Sequence, residues 1–122
     1  MRAEQNDLAC LWDMIEAVRG IETSVRGLSF SHYLSDENLR LAVERRIEIL
    51  GEAARRISDA FREVHPEVPW RQIIAQRNVL AHQYDDIDDQ LVWRLVQENL
   101  APLRRVLEAL LTIPPPDVTQ AD

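Results

Sequence analysis

A chain of 122 residues, 46% hydrophobic and 29% charged, is long enough for one domain with a real core. Its net charge of −7 argues against broad electrostatic binding to nucleic acid. A stretch of about 18 apolar residues, the least a membrane helix needs, is missing, and Met1 to Asp7 has no apolar segment of the signal-peptide kind. Cys10, the single cysteine, permits no intrachain disulfide and fits a reducing cytoplasm; beside Leu11 and Met14 it is expected in the core. The charge is uneven. Residues 1–39 hold three Arg against seven acids, net −4; residues 40–77 hold eight against six, net +2; residues 78–122 hold three against eight, net −5. The middle third is the only basic segment.

In chain order, Leu8, Leu11, Ile15, Val18, Ile21 and Val25 recur at spacings of three and four and predict a helix from about Asn6 to Arg26. Asn6 or Asp7 is placed to cap its start, and Gly27 to end it. Leu28 to Ser35 reads as a loop anchored to the core by Phe30 and Tyr33. A second, longer helix is expected from about Asp36, capped by Ser35 or Asp36, to Phe61 or Val64. Its seam of Leu39, Val43, Leu50, Ala53 or Ala54, Ile57, Phe61 and Val64 suits antiparallel packing. Gly51 inside it costs about 1 kcal/mol relative to Ala, which a close helix approach would justify. Pro66 stops that helix and Pro69 opens a third, running to about Ala81. A fourth starts near Asp86 or Asp88 and is kinked or split by Pro102. Trp70 and Trp93 are expected as core or dimer contacts. The expected fold is an all-α, antiparallel up-and-down bundle of four to five helices over residues 1–112. Residues 113–122, with Pro114-Pro115-Pro116, read as an extended, disordered tail.

The run Arg77-Asn78-Val79-Leu80-Ala81-His82-Gln83-Tyr84 carries the candidate chemistry. Arg presents a planar fork of donors to phosphate oxygens, and His exchanges a proton near neutral pH. Five residues apart on one helix, Arg77 and His82 are separated by about 140° around the axis. They share no face unless the helix ends near His82 or the two enter a groove from different sides. Asn78 can orient Arg77, contact substrate or satisfy a helix end. Tyr84 can pack at the helix end or offer its hydroxyl. Glu48 and Glu52 lie one turn apart among Arg45, Arg55 and Arg56, which favours ion pairing; a role for Glu48 in supporting Arg77 or His82 stays open. His32, His65 and His82 are too scattered for a helical metal site, so neither metal nor cofactor is expected.

The run Val43 to Ala54 (VERRIEILGEAA), then His65-Pro66-Glu67-Val68-Pro69-Trp70, the Arg77 to Tyr84 motif, Asp88 and Val92-Trp93 resembles the HepT-like branch of the HEPN superfamily over residues 5–111. The resemblance implies a HEPN-like helical fold and a homodimeric, metal-independent endoribonuclease toxin cutting RNA, plausibly transfer RNA. By the same likeness Arg77 and His82 are catalytic, with Asn78, Tyr84 and Glu48 in support. It also implies a partner, a minimal nucleotidyltransferase antitoxin of the MntA kind, that adenylylates Tyr84. The rival reading is a HEPN binding module that partners a nucleotidyltransferase and cuts nothing; a weaker one is a bundle kept only for complex assembly.

Overall fold

The computed structural model describes the backbone of residues 3–82 and 87–112, and the side chains within them other than those of 3–5, 77–82 and 112. These residues form helices α1 (Ala3–Val25), α2 (Phe30–Ser35), α3 (Glu37–Arg56), α4 (Asp59–Val64), α5 (Trp70–His82), α6 (Asp89–Glu98) and α7 (Leu100–Thr112), with no strand among them. The all-α expectation holds, with two six-residue helices beyond the count expected. Tyr84 and the tail 113–122 lie outside the described residues.

α3 packs on both α1 and α5, α7 packs on α1, and α6 lies against α7. Leu11, Ile15, Val18 and Ile21 of the predicted stripe are fully buried, and Met14 joins them; Leu8 is partly exposed instead. Gly27 adopts φ +75°, the left-handed conformation that ends a helix at little cost for glycine. Two polar pairs set α3 antiparallel to α1. Asp7 meets Ser58 just beyond the end of α3, and Ser24 of α1 meets Arg46 at 3.3 Å. Arg104–Glu22 at 2.6 Å and Arg19–Glu108 at 2.8 Å set α7 antiparallel to α1. Partly exposed pairs of this kind contribute little stability and chiefly fix register. Cys10 is buried, and that burial pushes its thiol above the ordinary range, as suits a core residue and not a nucleophile.

Three local expectations are corrected. The long second helix breaks at Ile57, whose extended backbone (φ −71°, ψ 140°) separates α3 from α4. Ser58 then caps α4 through its side chain. Asp7 is not a cap: it sits inside α1, 3% exposed, and its carboxylate accepts from the Ser58 N–H at 2.8 Å and the Ser58 hydroxyl at 2.7 Å. Past this break Val64 leaves the predicted seam and is 69% exposed. The segment Leu28 to Ser35 contains helix α2, capped by Ser29, although Phe30 and Tyr33 do anchor it.

The expected split of the last helix occurs, but at Asn99 and not at Pro102. A proline ring clashes with the carbonyl four residues earlier, here that of Glu98, so the chain breaks upstream. Pro102 is then accommodated in the first turn of α7, where its missing N–H removes no helical hydrogen bond. Asp36 and Asp88 cap α3 and α6 as expected.

Tyr33 is wholly buried, with its ring 5.1 Å from that of Trp93, and its hydroxyl has no hydrogen-bond partner. An unpartnered buried hydroxyl is a cost to the fold. Tyr33→Phe should therefore raise stability by about 1 kcal/mol, read as a higher urea midpoint. Burial, with Glu44 and Asp89 adding to it and Arg40 opposing, pushes the Tyr33 phenol well above its ordinary range. The unfolded phenol ionises near about pH 10 and the folded one later, so this group's contribution is complete below pH 10 and lost above it. The same variant should flatten that alkaline decline.

Candidate functional site

α5 is pinned at its start before it carries the candidate residues. Pro69 precedes it, and the Pro69 carbonyl accepts from the Ile73 N–H at 3.1 Å. The buried Trp70 indole N–H donates to the His65 carbonyl at 3.0 Å, and the Phe61 ring meets the Trp70 ring edge-on at 6.3 Å. α4 thus braces the first turn of α5. α5 also packs on α3, in which Ile47, Leu50, Gly51 and Ala54 are buried. Gly51, where a close helix approach is expected, lies in this buried stripe.

Arg77, Asn78 and His82 all belong to α5, and His82 is its last residue. One unbroken helix therefore carries Arg77 and His82, with their backbone positions about 7.5 Å apart along the axis and about 140° apart around it. Among the described residues, Glu48 is placed away from that motif's own helix. It stands on α3 and pairs with Arg45 at 3.3 Å, in a cleft shared with Asp13, Ile49 and Arg56. Glu52 pairs with Arg55 at 2.7 Å. The ion-pair reading of these carboxylates matches the geometry.

Two features near the motif escape a reading of the chain alone. The first is a half-buried polar group around Glu44, three helical turns before α3 ends. Burial first, then the nearby Asp89, pushes the Glu44 carboxyl above its usual range, while Arg40 pulls it down. Arg40 lies 3.9 Å from Asp89 and donates to the Leu34 carbonyl. Asp89 opens α6, the first helix after the motif, so this cluster joins α3 to the chain that leaves the candidate site. The only hint in the sequence is that Glu44 and Glu48 lie one turn apart. The second feature is a cavity walled by α3, α5, α6 and α7, which includes Gln76, the residue before Arg77. Four elements build it, so no single segment announces it.

Among the described residues no three His, Cys, Asp or Glu side chains gather as a metal-binding group. No described helix is long and apolar enough to cross a membrane.

Comparison with known proteins points to the family that the sequence resembles. The family model described as Ribonuclease HepT-like matches residues 14–110. The chain is 34% identical over 100 residues to a Methanocaldococcus jannaschii protein named "Putative RNase MJ1380", covering 82% of this chain and 92% of that protein. It is 37% identical over 100 residues to "Probable ribonuclease HepT" of Thermococcus cleftensis, covering 82% and 91%. A Caldanaerobacter subterraneus protein named "Putative RNase TTE0752" is 32% identical over 87 residues, covering 71% and 78%. No solved structure matches the chain. An all-α bundle with Arg77, Asn78 and His82 on one helix, matched by this family over most of its length, places the chain in the ribonuclease HepT-like family.

Proposed function

We propose that this protein is a cytoplasmic, metal-independent endoribonuclease, acting as a homodimeric toxin on RNA such as transfer RNA. The observation that carries this reading is the placement of Arg77 and His82 on the single helix α5, in a chain of the ribonuclease HepT-like family.

In this reading the guanidinium of Arg77 binds the scissile phosphate and stabilises the charge that builds on its oxygens. His82 takes the proton of the ribose 2′-hydroxyl as the 2′-oxygen bonds to phosphorus. The bond from phosphorus to the 5′-oxygen breaks, and the leaving oxygen needs a proton. Two copies of His82 in a homodimer can divide the roles of base and acid. The products are a 2′,3′-cyclic phosphate and a free 5′-hydroxyl. Only RNA has the attacking hydroxyl, so DNA is not cut. Asn78 orients Arg77.

Control falls to Tyr84. A minimal nucleotidyltransferase antitoxin transfers an adenylyl group from ATP to its hydroxyl, the phenolic oxygen losing its proton and displacing pyrophosphate; this sets a bulky anion two residues from His82 and excludes RNA by size and charge. The acids at 85, 86, 88 and 89 suit docking of a basic antitoxin surface better than docking of RNA.

The test is cleavage of labelled total small RNA by purified protein in EDTA, with mass spectrometry confirming that Tyr84 carries no adenylyl group. Cutting with cyclic-phosphate ends is the expected result. No cutting by unmodified protein across a broad set of RNAs would instead favour the binding module.

A further inference from the structure

The cavity beside the motif has a volume of about 410 Å³. Its floor is aliphatic: Leu50, Ile73, Leu100 and Leu103 are buried there. Gln72, Gln76, Asn99 and Glu67 are the polar residues of its mostly apolar lining. Gln72 and Gln76 stand one turn apart on α5, and the backbone position of Arg77 lies one turn beyond Ile73, about 6 Å along the axis.

We propose that this cavity holds an unpaired guanine of the RNA whose phosphate Arg77 binds. The proposal rests on the ribonuclease reading and adds to it the base that the site selects. The volume is at the scale of small-molecule sites, with an apolar interior and few polar groups. An apolar floor suits the face of a planar heterocycle, while each carboxamide offers both donors and an acceptor to its edge. Glu67 chooses among the bases. Its carboxylate only accepts, and guanine alone presents two adjacent donors, N1–H and the N2 amino group. One Glu67 oxygen pairs with His65 Nδ1 at 3.3 Å, and the side chain is about half exposed; turning to the cavity mouth exchanges that contact for the base.

Charge supports the same occupant. With a net charge of −7 the chain cannot rely on long-range attraction to phosphates. Burying and hydrogen-bonding a base supplies affinity that salt does not screen, and it confines cleavage to RNA with an unpaired guanine near the cut.

The experiment is titration of the isotope-labelled protein with GMP, AMP and UMP, following the side-chain amide signals of Gln72, Gln76 and Asn99. GMP should move those signals with millimolar affinity, and AMP and UMP should bind at least about tenfold more weakly. Glu67→Gln, an isosteric change at an exposed position that leaves the fold intact, should abolish the preference for GMP. No movement of these signals at about 10 mM nucleotide overturns the proposal. So does equal binding of the three nucleotides, or contacts across the cavity from a second copy of the chain. Cleavage in EDTA without GMP binding overturns the guanine site alone. GMP binding without cleavage overturns the ribonuclease reading and leaves the nucleotide site standing.

Discussion

His82→Ala should lower the RNA cleavage rate by about 10² to 10⁴, the usual contribution of a general acid or base. Folding should be untouched, because truncation at the last residue of α5 removes no helical hydrogen bond. Arg77 is tested by a subtler change. Arg77→Lys keeps the charge but replaces a planar fork of donors with a compact ammonium. If Arg77 grips two phosphate oxygens as charge develops on them, the lysine variant should lose about 10² in rate while binding RNA nearly as well as wild type. The loss should appear in kcat, read by single-turnover cleavage of one labelled RNA. A lysine variant as fast as wild type would mean that Arg77 supplies charge alone. Full activity in His82→Ala would remove His82 from the chemistry altogether.

Which parts of this molecule could be read from its sequence follows from how local their causes are. The α1 stripe, the Gly27 stop and the caps at Asp36 and Asp88 depend on residues within one turn of each other, and these expectations held. The helix that carries Arg77 was likewise legible, because the span from Trp70 carries apolar residues at helical spacing after a proline start; its end was expected at about Ala81 and falls at His82. The break between α3 and α4 was not. Ser58 is a good cap residue in isolation, but periodicity runs through it. What fixes the break is a carboxylate 51 residues away in sequence. Pro102 announced a split without its position, since the ring acts on a carbonyl four residues upstream. Glu67 looks like an ordinary turn residue until α3, α5, α6 and α7 close a cavity beside it. Sites assembled from several elements have no periodic signature, and only the packed structure brings them together.

Asp7→Ala should lower stability by about 3 kcal/mol, seen as a fall of about 10 °C in the thermal midpoint. Asp7 is the one buried charged side chain among the described residues, and both its oxygens are used. Without it the Ser58 N–H loses its acceptor in a place water reaches poorly, and the α3–α4 joint loses its tie to α1. The Ser58 hydroxyl, which also accepts from the Phe61 N–H, is set free to turn, weakening the cap of α4. Asp7→Asn should cost less, about 1 to 2 kcal/mol, because one oxygen can still accept from the Ser58 N–H while an amide donor faces the hydroxyl. Ser58→Ala should not add its full cost to that of Asp7→Ala, since the two remove the same bond; a double-mutant cycle in urea measures the coupling. α4 in turn presents Phe61 to Trp70 at the start of α5, so the joint reaches the candidate site through packing alone. At temperatures well below the midpoint, Asp7→Ala should therefore keep the wild-type cleavage rate per folded molecule. An unchanged midpoint would show that Asp7 is not what holds the break, and a lost rate in fully folded protein would show that the joint does more than brace α5.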